Sequence, residues 1–145
     1  MKKLILLLLL ATSSILPTTL EAQELSVKQI ENSIKKDGRY AMLVRNAEHL
    51  KASVKTGLEL IKEHPNAQFQ IVVCGELVKE LVKDPEIQQL MPKAKSGGVR
   101  VLACGLSMDK FRITGKDLPP AVEVTQNGLL YIFGLQENGY KSITL

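Results

Sequence analysis

The chain has no tryptophan and only six other aromatic residues, three tyrosines and three phenylalanines. That scarcity removes the stacking platforms on which single-stranded nucleic acid is read. The charge balance agrees. Nineteen Lys and Arg face 15 Asp and Glu, a net +4 with no basic stripe, and a nucleic-acid partner is not expected. Two cysteines, Cys74 and Cys104, are too few for a disulfide scaffold. No G-x-G-x-x-G follows the first apolar run and no G-x-x-x-x-G-K-[ST] occurs, so the usual phosphate cradles are missing. Glu76, Glu80 and Glu86 alternate with Lys79 and Lys83 and read as a solvated helix face, not as an acid/base pair. Ser53 and Thr56 fall inside a helical pattern and lack a nucleophile elbow.

The longest apolar run is also short. Lys2 and Lys3 precede Leu4–Leu10, the run fades to Leu16, Pro17 breaks it, and small and polar residues lead to Ala22. This is the layout of a secretory signal peptide. It falls well short of the ~20 apolar residues of a membrane span, so no stable span is expected. The reading is residues 1–22 as a signal cleaved near Ala22, residues 23–38 as an N-terminal arm, and residues 39–145 as one α/β domain. The product is expected in the periplasm or secreted, where thiols meet an oxidising environment.

What the sequence does hold is a regular alternation. "RYAMLVRN" (39–46), "QFQIVVCG" (68–75) and "VRVLACG" (99–105) are nearly continuous apolar runs, the signature of strands buried on both faces. "AVEVT" (121–125) and "YKSITL" (140–145) are shorter strands. Between them, Leu50, Val54, Leu58 and Ile61 recur at helical spacing, with Asn46 as N-cap and Pro65 as terminator. "ELVKELVKD" and "PEIQQLMPKAKSGG" predict two helical pieces, the second kinked or broken at Pro92. "NGLLYIFGLQENG" predicts a helix stopped by Asn138-Gly139. About five strands separated by helices predict a mostly parallel sheet covered on both faces.

Cys74 and Cys104 each end a predicted strand, and Gly75 and Gly105 follow them and let the backbone turn sharply there. Ligand sites of open α/β sheets form at the carboxyl ends of the strands, so both thiols fall on the functional edge. Each also precedes a helical segment, whose free N–H groups favour an anion and hence a thiolate. Lys110 and Arg112 lie just downstream and add positive potential. Ser107 is read as a cap of the segment after Cys104, with a hydrogen bond to the sulfur as the alternative. Arg45, Asn46 and Glu76 are placed along the crevice. If the second and third strands are neighbours, their Cα atoms lie ~5 Å apart, within disulfide range. His49 sits near the same edge, but Cys74, Cys104 and His49 carry no ligand spacing, and neither a metal nor a cofactor is expected.

The stretch from Tyr40 to Leu145 resembles the DsrE/DsrF-like sulfur-relay family. The resemblance rests on the strand ending in "CGLSM" (104–108), on "LPPAVEVTQNG" (118–128) and on the closing "LQENGYKSITL" (135–145). It implies a three-layer α/β/α sandwich, a homo- or hetero-oligomeric assembly, here expected as a homo-oligomer, and, as in some members, a cysteine that carries sulfane sulfur as a persulfide, at the matching position Cys104. On that reading Cys104 is the catalytic thiol and Cys74 its partner, with Gly75, Gly105, Ser107, Asn46 and His49 as binding positions. A sulfur-donor or thiol-acceptor protein would be its partner. A thiol–disulfide redox protein using both cysteines, and a non-catalytic ligand-binding or assembly module, are the alternatives.

Overall fold

The computed structural model describes residues 24–145. These fall into two compact units, divided between Asn32 and Ser33. In the described part of the first unit, α1 (Val27–Glu31) is opened by a capping box in which Ser26 and Gln29 satisfy one another's backbone N–H groups. The second unit, from Ser33, carries everything else.

In this second unit five strands form one parallel sheet: β1 (Arg39–Val44), β2 (Gln68–Val73), β3 (Val99–Cys104), β4 (Val122–Thr125) and β5 (Lys141–Thr144), in the order β4-β3-β2-β1-β5. The strand pattern explains the order. The three apolar runs occupy the centre, while the outer strands carry exposed charge, Glu123 on β4 and Lys141 on β5. Charge on an outer strand discourages further strand addition.

Helices α2 (Ala47–Glu63), α3 (Leu77–Lys83), α4 (Pro85–Ser96) and α5 (Gly105–Lys110) cover one face. Leu50, Val54, Leu77, Leu81, Ile87 and Met91 meet Phe69, Ile71, Val73, Val99 and Val101 there and form the larger core. Helix α4 is continuous through Pro92, so of the predicted kink or break the break does not occur. Met91 and Ala94 are buried on either side of the proline and pin the helix to the sheet. The carbonyl that loses its donor belongs to exposed Gln88, which water can reach.

The opposite face is covered by α6 (Gly128–Glu137), which packs Ile132 and Leu135 against Ala41, Leu43, Val72, Cys74 and Cys104. Buried Gln70 locks this helix to the sheet. Its amide donates to Tyr140 Oη at 2.8 Å, and its carbonyl oxygen accepts from Tyr131 Oη at 2.8 Å. A buried polar network satisfied in this way fixes one position for the helix. Helix α6 ends at Asn138, and Gly139, with φ 81°, turns the chain into the last strand. The unit is therefore a three-layer α/β/α sandwich, as the sequence predicts.

The two faces define where a site can form. Strands β1, β2 and β3 lead to helices on the first face, whereas β4 leads to α6 on the second. Loops that part to opposite faces leave a crevice between the carboxyl ends of the strands they leave. Here the adjacent strands whose following helices go to opposite faces are β3 and β4, and Cys104 ends β3.

Candidate active site at the ends of strands β2 and β3

Strands β2 and β3 pair Val72 with Leu102 and Val73 with Ala103. One step further, this register sets Cys74 beside Cys104. Both sulfurs belong to the core on the α6 face, both are free thiols, and both are buried, 8% and 4% exposed.

Three pieces of backbone close around them. Gly128, the first residue of α6, donates its N–H to Cys104 Sγ at 3.2 Å. A Cβ at this position would lie 2.7 Å from Cys74 Sγ, 2.9 Å from Val72 Cγ1 and 3.1 Å from Cys104 Cβ, so only glycine lets the helix start this close. Asn127 caps the same turn by accepting from the N–H groups of Leu129 and Leu130. Capping by Asn127 leaves the Gly128 N–H aimed at the sulfur. On the other side, Gly75 turns the chain out of β2 with φ 68° and donates its N–H to Ser107 Oγ at 2.9 Å.

The two thiols titrate in opposite directions. Burial acts first on Cys104 and would push it up. The Gly128 N–H, the Ser107 hydroxyl, the Ser107 N–H and the Cys74 thiol together outweigh burial and hold Cys104 below the ordinary thiol value. Donors that stabilise a thiolate lower its pKa in just this way. Cys74 is pushed up to about 12, by burial first, then by the negative charge on Cys104 and the hydrogen bond to it, with Arg45 opposing. Of the two, Cys104 is therefore the thiol that gives up its proton first, while Cys74 keeps its own and points it at its neighbour. Ser107 completes a relay in which the Gly75 N–H polarises the hydroxyl that donates to Cys104.

Several sequence-predicted residues fall differently. Ser107 does not cap a helix; it lies inside α5 and bridges Gly75 to Cys104. Gly105 does not turn the chain by a left-handed conformation. It opens α5, and a Cβ there would lie 2.9 Å from the Gln126 carbonyl oxygen, so its smallness lets the loops after β3 and β4 touch. Lys110 lies 5.5 Å from the Phe111 ring centroid, and neither it nor Arg112 is among the groups shifting Cys104; the cation acting at this edge is Arg45, on Cys74. Asn46 caps α2 as predicted, accepting from the His49 N–H at 2.8 Å. Its amide nitrogen also holds His49 Nδ1 at 2.9 Å, which ties the imidazole to its own helix start. Glu76 pairs with Lys79 at 3.2 Å on the surface. Among the described residues no group of three or more His, Cys, Asp and Glu could hold a metal ion. No described helix is long and apolar enough to cross a membrane.

The residue that sequence reasoning missed is Gly128. Its signal was present as Asn-Gly at a helix start, but what it touches lies 24 residues away in the chain.

The family model described as DsrE/DsrF-like matches residues 38–145. The chain belongs to this family. The DsrE-like domain is similar in fold to several solved structures. Protein MTH1491 from Methanobacterium thermoautotrophicum, a protein of unknown function, superposes with a TM-score of 0.68 at 22% identity, covering 75% of this chain and 100% of that one. The ychN protein from E. coli gives 0.64 at 17%, covering 74% and 99%. Protein BT1422 from Bacteroides thetaiotaomicron, also of unknown function, gives 0.57 at 14%, covering 72% and 94%. No curated protein matches the chain.

Proposed function

We propose that this DsrE-like protein handles sulfane sulfur, with Cys104 as the thiolate that accepts it as a persulfide. The observation that carries the reading is the 3.2 Å contact between the Gly128 N–H and Cys104 Sγ at the start of α6. Backbone donors favour the thiolate over the thiol, and the thiolate is the nucleophilic form. Attack on a persulfide or polysulfide forms the Cys104 S–S bond and releases the donor's thiolate; no general base is needed. With Cys104 4% exposed, the donor that fits is a small sulfane species.

Two further parts of the reading concern setting. Residues 1–22 lie outside the described residues; we assign them to export, with the domain working in the periplasm or outside the cell. The domain self-associates through the outer face of α6, where Leu129, Leu130 and Phe133 are more than half exposed. An apolar cluster of that kind is a common association surface. Sedimentation of the protein and of Leu130→Glu tests it: an assembly dissociated by the substitution is expected, and a monomeric parent protein overturns it.

Sulfur acceptance is tested on a chain with one remaining candidate thiol. Cys74→Ser, reduced and then treated with inorganic polysulfide, is expected to gain about 32 mass units on the peptide holding Cys104. Cys104→Ser is expected to gain none. An adduct that survives in Cys104→Ser, or its absence from both, overturns the assignment.

A further inference from the structure

We infer that Cys74 is a resolving thiol, which discharges the Cys104 persulfide inside the site as hydrogen sulfide and leaves a Cys74–Cys104 disulfide. The inference rests on the persulfide reading above and extends it from a carrier to a two-thiol sulfane reductase.

Placement carries it. The two residues follow directly on the Val73–Ala103 pair of neighbouring parallel strands. Strands in a sheet run ~4.8 Å apart, inside the Cα separation that a disulfide bridges. Both side chains belong to the same face and the same small core, with Val72 and Ile132. The one residue that could stand between them, Gly128, has no side chain, and a Cβ there would meet both residues at once. Burial then decides where the sulfur goes. Cys104 is 4% exposed and Cys74 8%, so the outer sulfur of a Cys104 persulfide meets the Cys74 thiol before it meets a thiol on another protein.

The step balances as follows. The donor R–S–SH gives its outer sulfur to the Cys104 thiolate; the proton of that sulfur passes to the departing R–S⁻, which leaves as R–SH, and the persulfide remains as Cys104–S–S⁻. The Cys74 S–H transfers its proton to the outer sulfur of Cys104–S–S⁻. The Cys74 thiolate so formed attacks Cys104 Sγ. The Cys74–Cys104 S–S bond forms, the bond to the outer sulfur breaks, and that sulfur leaves as HS⁻. The sulfane sulfur is reduced by two electrons, and the two cysteine sulfurs together are oxidised by two. Two equivalents of a small thiol then reduce the bridge and restore the pair. The proton on Cys74 before the step, pushed up to about 12 chiefly by burial, is the one the leaving sulfur requires.

The test uses the full chain, reduced and freed of reductant, with one equivalent of glutathione persulfide as the probe, followed by alkylation, intact mass and sulfide determination. The wild-type protein is expected to lose about two mass units, to take up no alkylating reagent and to release close to one equivalent of hydrogen sulfide. Cys74→Ser, with Cys74→Ala as a second variant, is expected to keep an adduct of about 32 mass units on Cys104 and to release less than about a tenth as much sulfide. A wild-type protein that keeps the adduct, with Cys74 still open to alkylation, overturns the discharge step and leaves the persulfide reading standing. No adduct and no bridge in either protein overturns both.

Discussion

Cys74 and Cys104 lie side by side at the ends of neighbouring parallel strands, and their surroundings push the Cys74 thiol up while holding the Cys104 thiol below its ordinary value. The asymmetry comes from what surrounds each sulfur. Cys104 has the Gly128 N–H and Ser107; Cys74 has burial and its neighbour's charge. Two identical side chains in adjacent positions are thereby given different acidity.

The first prediction concerns which thiol reacts. At pH 8, a small alkylating reagent at limiting concentration is expected to label Cys104 at least ~10-fold faster than Cys74, because only a thiolate is nucleophilic. Peptide mass mapping after partial labelling reads the ratio. Equal labelling would remove the asymmetry.

Gly128→Ala places a methyl group 2.7 Å from Cys74 Sγ and 2.9 Å from Val72 Cγ1. Overpacking of this kind costs about 1–3 kcal/mol. The substitution is expected to lower Tm and, by lifting the start of α6 off the sulfur, to raise the Cys104 thiol. Thermal melts and thiolate absorbance against pH measure the two effects separately.

Ser107→Ala removes the acceptor of the Gly75 N–H and a donor to Cys104. A lost hydrogen bond of this type costs about 1 kcal/mol. The Cys104 thiol is expected to titrate higher than in the parent, with the fold intact by circular dichroism. Ser107→Thr, which keeps the hydroxyl, is expected to restore the lower value; failure to do so would mean that the hydroxyl does not act on the thiolate.

Stability should fall in alkali through Cys74. Its thiol keeps its proton to about 12 in the fold against an ordinary value of 9.0, so its contribution is complete below pH 9 and is lost as pH rises from 9 to 12. Fully developed, a gap of that size is on the order of 4 kcal/mol. Cys104 works the other way: its value is lowered, so its contribution is present above 9 and is lost as pH falls through the folded value. Denaturant unfolding of the parent and of Cys74→Ala across pH 8–12 is expected to show a steeper alkaline loss in the parent. Parallel curves would mean that burial does not hold the proton on Cys74.

The fold was largely legible because its signals are local. Continuous apolar runs, helical spacing at Leu50, Val54, Leu58 and Ile61, and stops at Pro65 and Gly139 each act within a few residues. That the chain does not break at Pro92 has a tertiary cause. A proline costs a helix one bond and a clash, which burial of Met91 and Ala94 against the sheet offsets here. Cys74 and Cys104 could be placed at the sheet's edge from strand ends and following glycines alone. The choice for Ser107 between capping and bonding the sulfur, and the role of Gly128, could not be read, because each acts on a residue of another element.

By itself the sequence determined the parallel α/β sandwich, the two thiols at its carboxyl edge and the family to which the chain belongs. Only the tertiary structure decided that β2 and β3 are adjacent, that β4 sends α6 to the far face, and that the helix start lands on Cys104. The physical reason is range. Propensity and patterning act between near neighbours in the chain, whereas the charge state of a thiol depends on every donor, charge and apolar wall within a few ångströms, whichever strand or helix brings it there.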